Sequence, residues 1–301
     1  MRYIVLSLFT AAAFFCSSVS ADAVTIFGAA ELGGGPSTLY NIDPNTGAGT
    51  LIGAIGYNRV GGIDFDPNTG ILYGVGANPT TDAWELITIN TTTGVGTAVG
   101  NTGFTFATQD LNFRSDGTLW SYSGGGNIYT LNLTTGAATL VGFIGGGGNP
   151  PGQGNALGFD GMDTLYRIDG ADIYTINQSD GVATDTMTDV NYPITIGTNP
   201  RANAMDYDAS SGLFYASVVH SVERTAPVNF IAQIDIATGN VSNVHSTVTA
   251  LDALAVLPDA QQSPTPPPTN GVPESGKTVV LMLGAIGMLL GTHARKLRLG
   301  S

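Results

Sequence analysis

Apolar and polar residues alternate along most of the chain in short runs separated by Gly, Asn, Asp and Thr, a two-residue period that predicts β-strands rather than helices. One such pattern returns five times, over residues 39–53 (LYNIDPNTGAGTLIG), 86–100, 128–142, 173–187 and 231–245. Each copy reads as strand, polar turn and strand. The turn ends in Gly47, Gly94, Gly136, Gly181 or Gly239, where glycine suits the left-handed position of a short hairpin loop. A second unit lies between the hairpins, over residues 61–76 (GGIDFDPNTGILYGVG), 109–123, 155–169 and 203–217, and again places two strands around a polar turn. Together the units give four strands every 42 to 58 residues, measured between hairpin glycines, which is the period of a propeller blade.

The count predicts an all-β fold, a five-bladed β-propeller over residues 24–258. The first hairpin lacks a complete leading unit, having only Val24 to Ala29 before it. The missing innermost strand reappears at the other end, because Leu251 to Val256 (LDALAV) has the pattern of residues 203–207 and 155–159. That strand is expected to enter the first blade and close the ring, leaving no exposed inner edge. A β-sandwich or solenoid is the alternative architecture, although neither requires this fixed order of units.

Composition sharpens the picture. Between Asp22 and Gly271 there are 22 acidic residues, five arginines and no lysine, a net charge of −17. Such a surface repels nucleic acid and anionic headgroups, so nucleic acid is not an expected partner. The one cysteine, Cys16, lies in the segment where Arg2 precedes an apolar run from Tyr3 to Phe15, followed by Ser17, Ser18, Ser20, Ala21 and Ala23. Residues 1–23 therefore read as a secretory signal peptide, cleaved after Ala21 or Ala23. The mature chain would hold no disulfide and would rely on core burial for stability.

After the strands, residues 259–271 are rich in proline and read as an extended, disordered linker. Val272, Pro273, Glu274, Ser275 and Gly276 then precede an apolar run from Thr278 to Gly291 and the basic cluster Arg295, Lys296 and Arg298. The apolar run is short for a membrane span, and the basic cluster would be retained on the cytoplasmic side. These residues, 272–301, resemble the PEP-CTERM family of bacterial sorting tails, in the variant Val-Pro-Asp-Ser-Gly, with Glu274 where that variant has Asp. The resemblance implies recognition by an exosortase-like membrane peptidase, transient membrane anchoring, and delivery to the cell surface or an extracellular matrix. Exopolysaccharide or surface glycans are then the expected partners.

Candidate chemistry is sparse. The three histidines have no metal-ligand spacing, and no serine sits in a Gly-x-Ser-x-Gly elbow, so no catalytic residue is assigned. No cofactor is expected, with calcium as the one possibility: Asp64, Asp66 and Asn68 place oxygen side chains at alternate positions before Gly70. The same residue types also close turns by local hydrogen bonding. Aligning the innermost strands brings Gln109 or Asp110, Asn155, Asn203 and Asp252 to similar heights near the central channel, with Asp64, Asn112 and Asp206 two or three positions on, a candidate ligand site. The recurrent aromatics Tyr73, Trp120, Tyr166 and Tyr215 are expected to pack between blades. The expectation is thus an exported binding or structural propeller without catalytic activity, the alternative being a calcium-dependent propeller enzyme of lyase or lactonase type.

Overall fold

The computed structural model describes residues 24–31, 35–123, 125–144, 156–220 and 228–258. The chain divides into two compact units, Met1–Gln262 and Ser263–Ser301, and every described residue belongs to the first. The expected signal peptide (1–23), the proline-rich segment 259–271, the expected sorting motif and basic cluster within 272–301, and Asn155 lie outside the described residues.

Helix among the described residues amounts to one 3-10 turn, Ile194–Ile196. Blade one contains β1 (Ile26–Ala30), β2 (Pro36–Ile42) and the first part of β3 (Gly49–Phe65). Blade two takes the rest of β3 with β4 (Leu72–Ala77), β5 (Trp84–Ile89) and β6 (Gly96–Asn101). Blade three is β7 (Thr108–Phe113), β8 (Leu119–Ser123), β9 (Asn127–Leu131) and β10 (Ala138–Phe143). Blade four is β11 (Ala156–Phe159), β12 (Leu165–Asp169), β13 (Asp172–Ile176) and β14 (Ala183–Asp189). Blade five is β15 (Pro200–Asp208), β16 (Leu213–His220), β17 (Val228–Ile234) and β18 (Val241–Ser246). The last strand, β19 (Leu251–Val256), pairs antiparallel with β1 and completes blade one, as its sequence pattern predicts.

The structure departs from four separate strands per blade in one place. β3 runs unbroken for 17 residues, pairing with β2 as far as Asn58 and with β4 from there on, so blades one and two share a seven-stranded sheet. The positive φ values of Gly56 and Arg59 mark where it turns from one blade into the next. No sheet closes on itself. The ring is made by packing, with the five innermost strands adjacent in the order β19, β3, β7, β11, β15 and back to β19.

Burial follows this plan. Five apolar clusters fill the five interfaces between blades; Tyr73, Val75 and Leu86 of blade two, for example, meet Leu111, Phe113 and Leu119 of blade three. Aromatic edges reinforce them. Tyr73 packs edge-on to Phe113 at 5.6 Å, Trp120 to Phe159 at 6.0 Å and Tyr166 to Phe214 at 6.2 Å between ring centres, while Tyr215 joins the cluster against blade one. Such pairs contribute roughly 0.5–1.5 kcal/mol each beyond their buried area.

At the periphery, the hairpin glycines explain why the repeat is written as it is. Each turn lies on the outer strand of the preceding blade: Gly94 on Gly53, Gly136 on Gly100, Gly181 on Gly142, Gly239 on Asp189, and Gly47 on Ser246 from blade five to blade one. At Gly100, a residue of ordinary φ, an added Cβ would collide with the Thr135 carbonyl of the neighbouring turn. In three of the five contacts, glycine closing the strand and glycine closing the turn are thus two sides of one backbone contact. Gly100→Ala should cost about 1–3 kcal/mol through overpacking alone, read as a lowered midpoint in urea with unchanged slope; a midpoint like that of the parent would show the blades are free to spread.

Candidate functional site

In a propeller the innermost strand of each blade has a free edge, and its backbone N–H groups need acceptors once water is excluded. Here side chains supply them. Asp64 accepts from Phe65 N at 2.6 Å and from Phe113 N of the next blade at 2.6 Å. Asn112 accepts from Phe159 N at 2.8 Å. Asp206 accepts from Tyr207 N at 2.8 Å and from Val256 N at 2.6 Å. One amide from each of the five inner strands is thereby satisfied by three side chains. A second layer is served by Asp110, which accepts from Leu111 N at 2.9 Å, Leu157 N at 2.8 Å and Met205 N at 3.3 Å.

The centre is consequently plugged. Asp64, Asp110, Asn112 and Asp206 are all buried, and Asn112 Nδ2 donates to Asp206 Oδ1 across the axis at 3.2 Å. Burial, then the charge of Asp206, pushes the Asp64 carboxyl well above its ordinary range. Burial likewise raises Asp206, against the opposing amides of Val256 and Tyr207 and the Asn112 side chain. Two buried carboxyls that hydrogen-bond each other cannot both ionise, so the pair holds a proton between them. Burial also raises Asp110 well above its ordinary range, although its three backbone donors pull the other way.

Beyond the plug, where the inner strands begin, a cavity of about 310 Å³ opens, lined by Glu31, Arg59, Val60, Gly61, Ala107, Thr108, Gln109, Arg201, Asn203 and Asp252. Asn203 Nδ2 donates to Asp252 Oδ1 at 3.4 Å. Burial and the neighbouring charge of Glu31 push Asp252 up to about 7, with Arg201 and Asn203 opposing. Across the cavity Arg59 forms an ion pair with Asp82, and its guanidinium carbon lies 5.1 Å from the centre of the Trp84 ring. Both arginines therefore face acids, and donors and acceptors alternate around a wall of nearly balanced charge.

The structure brings together only part of the sequence-derived set. Asn203 and Asp252 meet at the cavity, whereas Asp110 lies in the plug, engaged by three amides. Asp64, Asp66 and Asn68 do not converge. Strand alternation sends Asp64 to the axis, while Asp66 caps its own turn, accepting from Asn68 N at 2.9 Å and Thr69 Oγ1 at 2.7 Å. Asp208 does the same in blade five, accepting from Ser210 N at 3.0 Å and Ser211 Oγ at 2.6 Å. Among the described residues, no three His, Cys, Asp or Glu side chains form a metal-binding group. Glu31, Arg59 and Arg201 were not singled out by sequence. Their one signal was scarcity, two of five arginines in an acidic domain sharing one cavity.

These features define the class, a five-bladed β-propeller with a plugged axis and one polar mouth. No protein-family model and no curated protein matches the chain. Among solved structures it is similar to a chain of a nidogen/laminin complex, at 11% identity over 77% of this chain and 98% of that one, with a TM-score of 0.49. It is also similar to TolB from Acinetobacter baumannii, at 15% identity over 77% of this chain and 55% of that one, with a TM-score of 0.46. A third likeness is to the extracellular domain of a putative one-component system from B. thetaiotaomicron, at 16% identity over 74% and 28% of the two chains and a TM-score of 0.38.

The raised carboxyls have a measurable consequence. Asp64, Asp110, Asp206 and Asp252 keep protons when folded that they release when unfolded near the ordinary aspartate value of 3.8. Between that value and the raised ones, the native state binds more protons, so stability is full below about pH 4 for these groups and falls as pH rises toward and past 7. The melting temperature should be several degrees higher at pH 5 than at pH 8; a flat or rising profile over this range would contradict the buried acid plug.

Proposed function

We propose that the chain is an exported propeller of the cell surface or extracellular matrix that binds a neutral, hydroxyl-rich ligand, the end of a glycan, in its mouth cavity. The cavity carries the reading. Its size falls at the lower end of small-molecule sites, about 300–1,000 Å³, and suits a single sugar unit. Arg59, Arg201, Gln109 and Asn203 offer donors; Glu31, Asp252 and the two amide oxygens offer acceptors. Alternating partners of this kind match a ring of hydroxyls, each both donor and acceptor. The balanced charge favours neither an anion nor a cation.

The two ends of the sequence support export. Residues 1–23 read as a signal peptide, and Val272 to Gly276 with Arg295, Lys296 and Arg298 resemble a sorting tail, which would make an exosortase-like peptidase a processing partner. A net charge of −17 between Asp22 and Gly271 would keep the domain soluble in a matrix and away from anionic surfaces. A second reading, a propeller enzyme, is favoured by one observation: Asp252, raised to about 7 beside Glu31, resembles the protonated and ionised carboxyls of general acid–base chemistry. Release of reducing sugar from a polysaccharide would mark that activity.

Calorimetric titration of the full chain with glucose, galactose, mannose and N-acetylglucosamine tests binding. At least one should bind, and Arg201→Ala should weaken it about tenfold or more, the loss of one charged hydrogen bond. No binding by any of them, or an unchanged affinity in the variant, would contradict the assignment.

A further inference from the structure

Among the described residues, only two aromatic side chains are exposed, Phe106 at 56% and Phe143 at 60%. They stand at the same turn, between β8 and β9. A Cβ on Gly125 would lie 3.3 Å from Phe106 Cδ2, and one on Gly126 would lie 2.7 Å from Phe143 Cε2, so the two rings flank consecutive glycines. Phe104 and Tyr129, with ring centres 4.9 Å apart, lie close by in sequence on blade three. Phe106 also adjoins the mouth cavity, since the next two residues, Ala107 and Thr108, line its wall.

The chemistry around the rings is as informative as the rings. From Leu86 to Gln109, and again from Gly117 to Phe159, the chain contains no Asp, Glu, Lys, Arg or His. In a chain whose residues 22–271 carry a net charge of −17, the segments that hold the two rings are rich in Thr, Asn, Gly and Ser and contain no charged side chain. Adjacent exposed rings mark an interaction site, and hydroxyl- and amide-rich segments without charge favour an uncharged partner.

We infer that Phe106 and Phe143 form a stacking platform that continues the mouth cavity, so that the site takes the end of a neutral polysaccharide: its terminal unit in the cavity and the following units across the two rings. This rests on the glycan reading of the cavity and adds direction and length to it. The apolar face of a pyranose lies on an aromatic ring while its rim hydroxyls remain solvated, which is how exposed phenylalanine can serve a neutral sugar without any charged group. The cavity fixes the terminal unit through Asn203, Asp252 and Arg201, and the platform holds the chain as it leaves. Neither ring hydrogen-bonds, so the platform tolerates variation in linkage and the cavity supplies the selectivity.

The test is calorimetric titration of the full chain with cello-, malto- and manno-oligosaccharides of one to five units, repeated with Phe106→Ala, Phe143→Ala and the double variant. In the parent, affinity should rise roughly three- to tenfold per added unit up to the third, the size expected of one aromatic contact, and then level off. The double variant should bind the monosaccharide like the parent and lose the dependence on length. A parent that binds mono- and trisaccharide equally, or a double variant that keeps the dependence, overturns the platform while leaving the cavity reading intact. Absence of binding at every length overturns both. Sedimentation of the same proteins covers a further occupant: a self-associating parent that becomes monomeric in the double variant would assign the rings to contact between copies and overturn the inference.

Discussion

The free inner edge of each blade is the constraint on which the rest of the structure depends. Five sheets arranged around an axis bring five rows of unpaired amides to a space too narrow for bulk water, and an orphaned buried amide costs about 1–3 kcal/mol. This chain meets the demand with Asp64, Asp110, Asn112 and Asp206, each accepting from at least one other blade. The acceptors fit because their counterparts are small: Gly62, Ala156, Ala204 and Ala253 occupy the aligned positions facing Asp110, and Gly158 and Ala255 those facing the other three. The same side chains that satisfy the edges also tie one blade to another, so the seam between blades five and one is joined like its neighbours, through Asp206 and Val256 N.

A plugged axis decides where binding can occur. The space inside the ring is already taken by protein groups, so a ligand reaches the propeller at an end or along a blade surface. At the end where the inner strands start, the residues preceding the plug are polar and unequal from blade to blade: Gly61, Gln109, Asn203 and Asp252 occupy the same position in four units, and their differences make a cavity of one shape. The segments that carry the two exposed rings, by contrast, hold no charged residue, and Phe106 stands beside that cavity.

Much of this was legible in the sequence, for a physical reason. The hairpin repeat shows because a turn glycine packs on the preceding blade in every unit, against a second glycine in three of them, and ring closure shows because an inner strand is buried on both faces wherever it occurs along the chain, at residues 203–207 or at 251–256. Asn203 and Asp252 could be placed by aligning those strands. The same alignment puts Asp64, Asn112 and Asp206 near the channel, while their role as acceptors for the blade edges is not legible in it. Other features were hidden. β3 gives no sign of continuing from one blade into the next, because residues 54–60 contain a glycine and polar residues like any loop. Arg59 and Arg201 sit two positions before the aligned units, outside the motif, and Glu31 reaches the cavity from the end of β1. Their convergence is a product of the ring.

Native-state hydrogen exchange at the amides of Phe65, Phe113, Phe159, Tyr207 and Val256 addresses the central claim most directly. If the carboxyl and carboxamide plug holds the blades, these edge amides should exchange as slowly as the paired amides within the blades, through global unfolding alone. Exchange at the rate of an open strand edge, while ladder amides stay protected, would show that the axis is open to water and that the plug does not hold the ring.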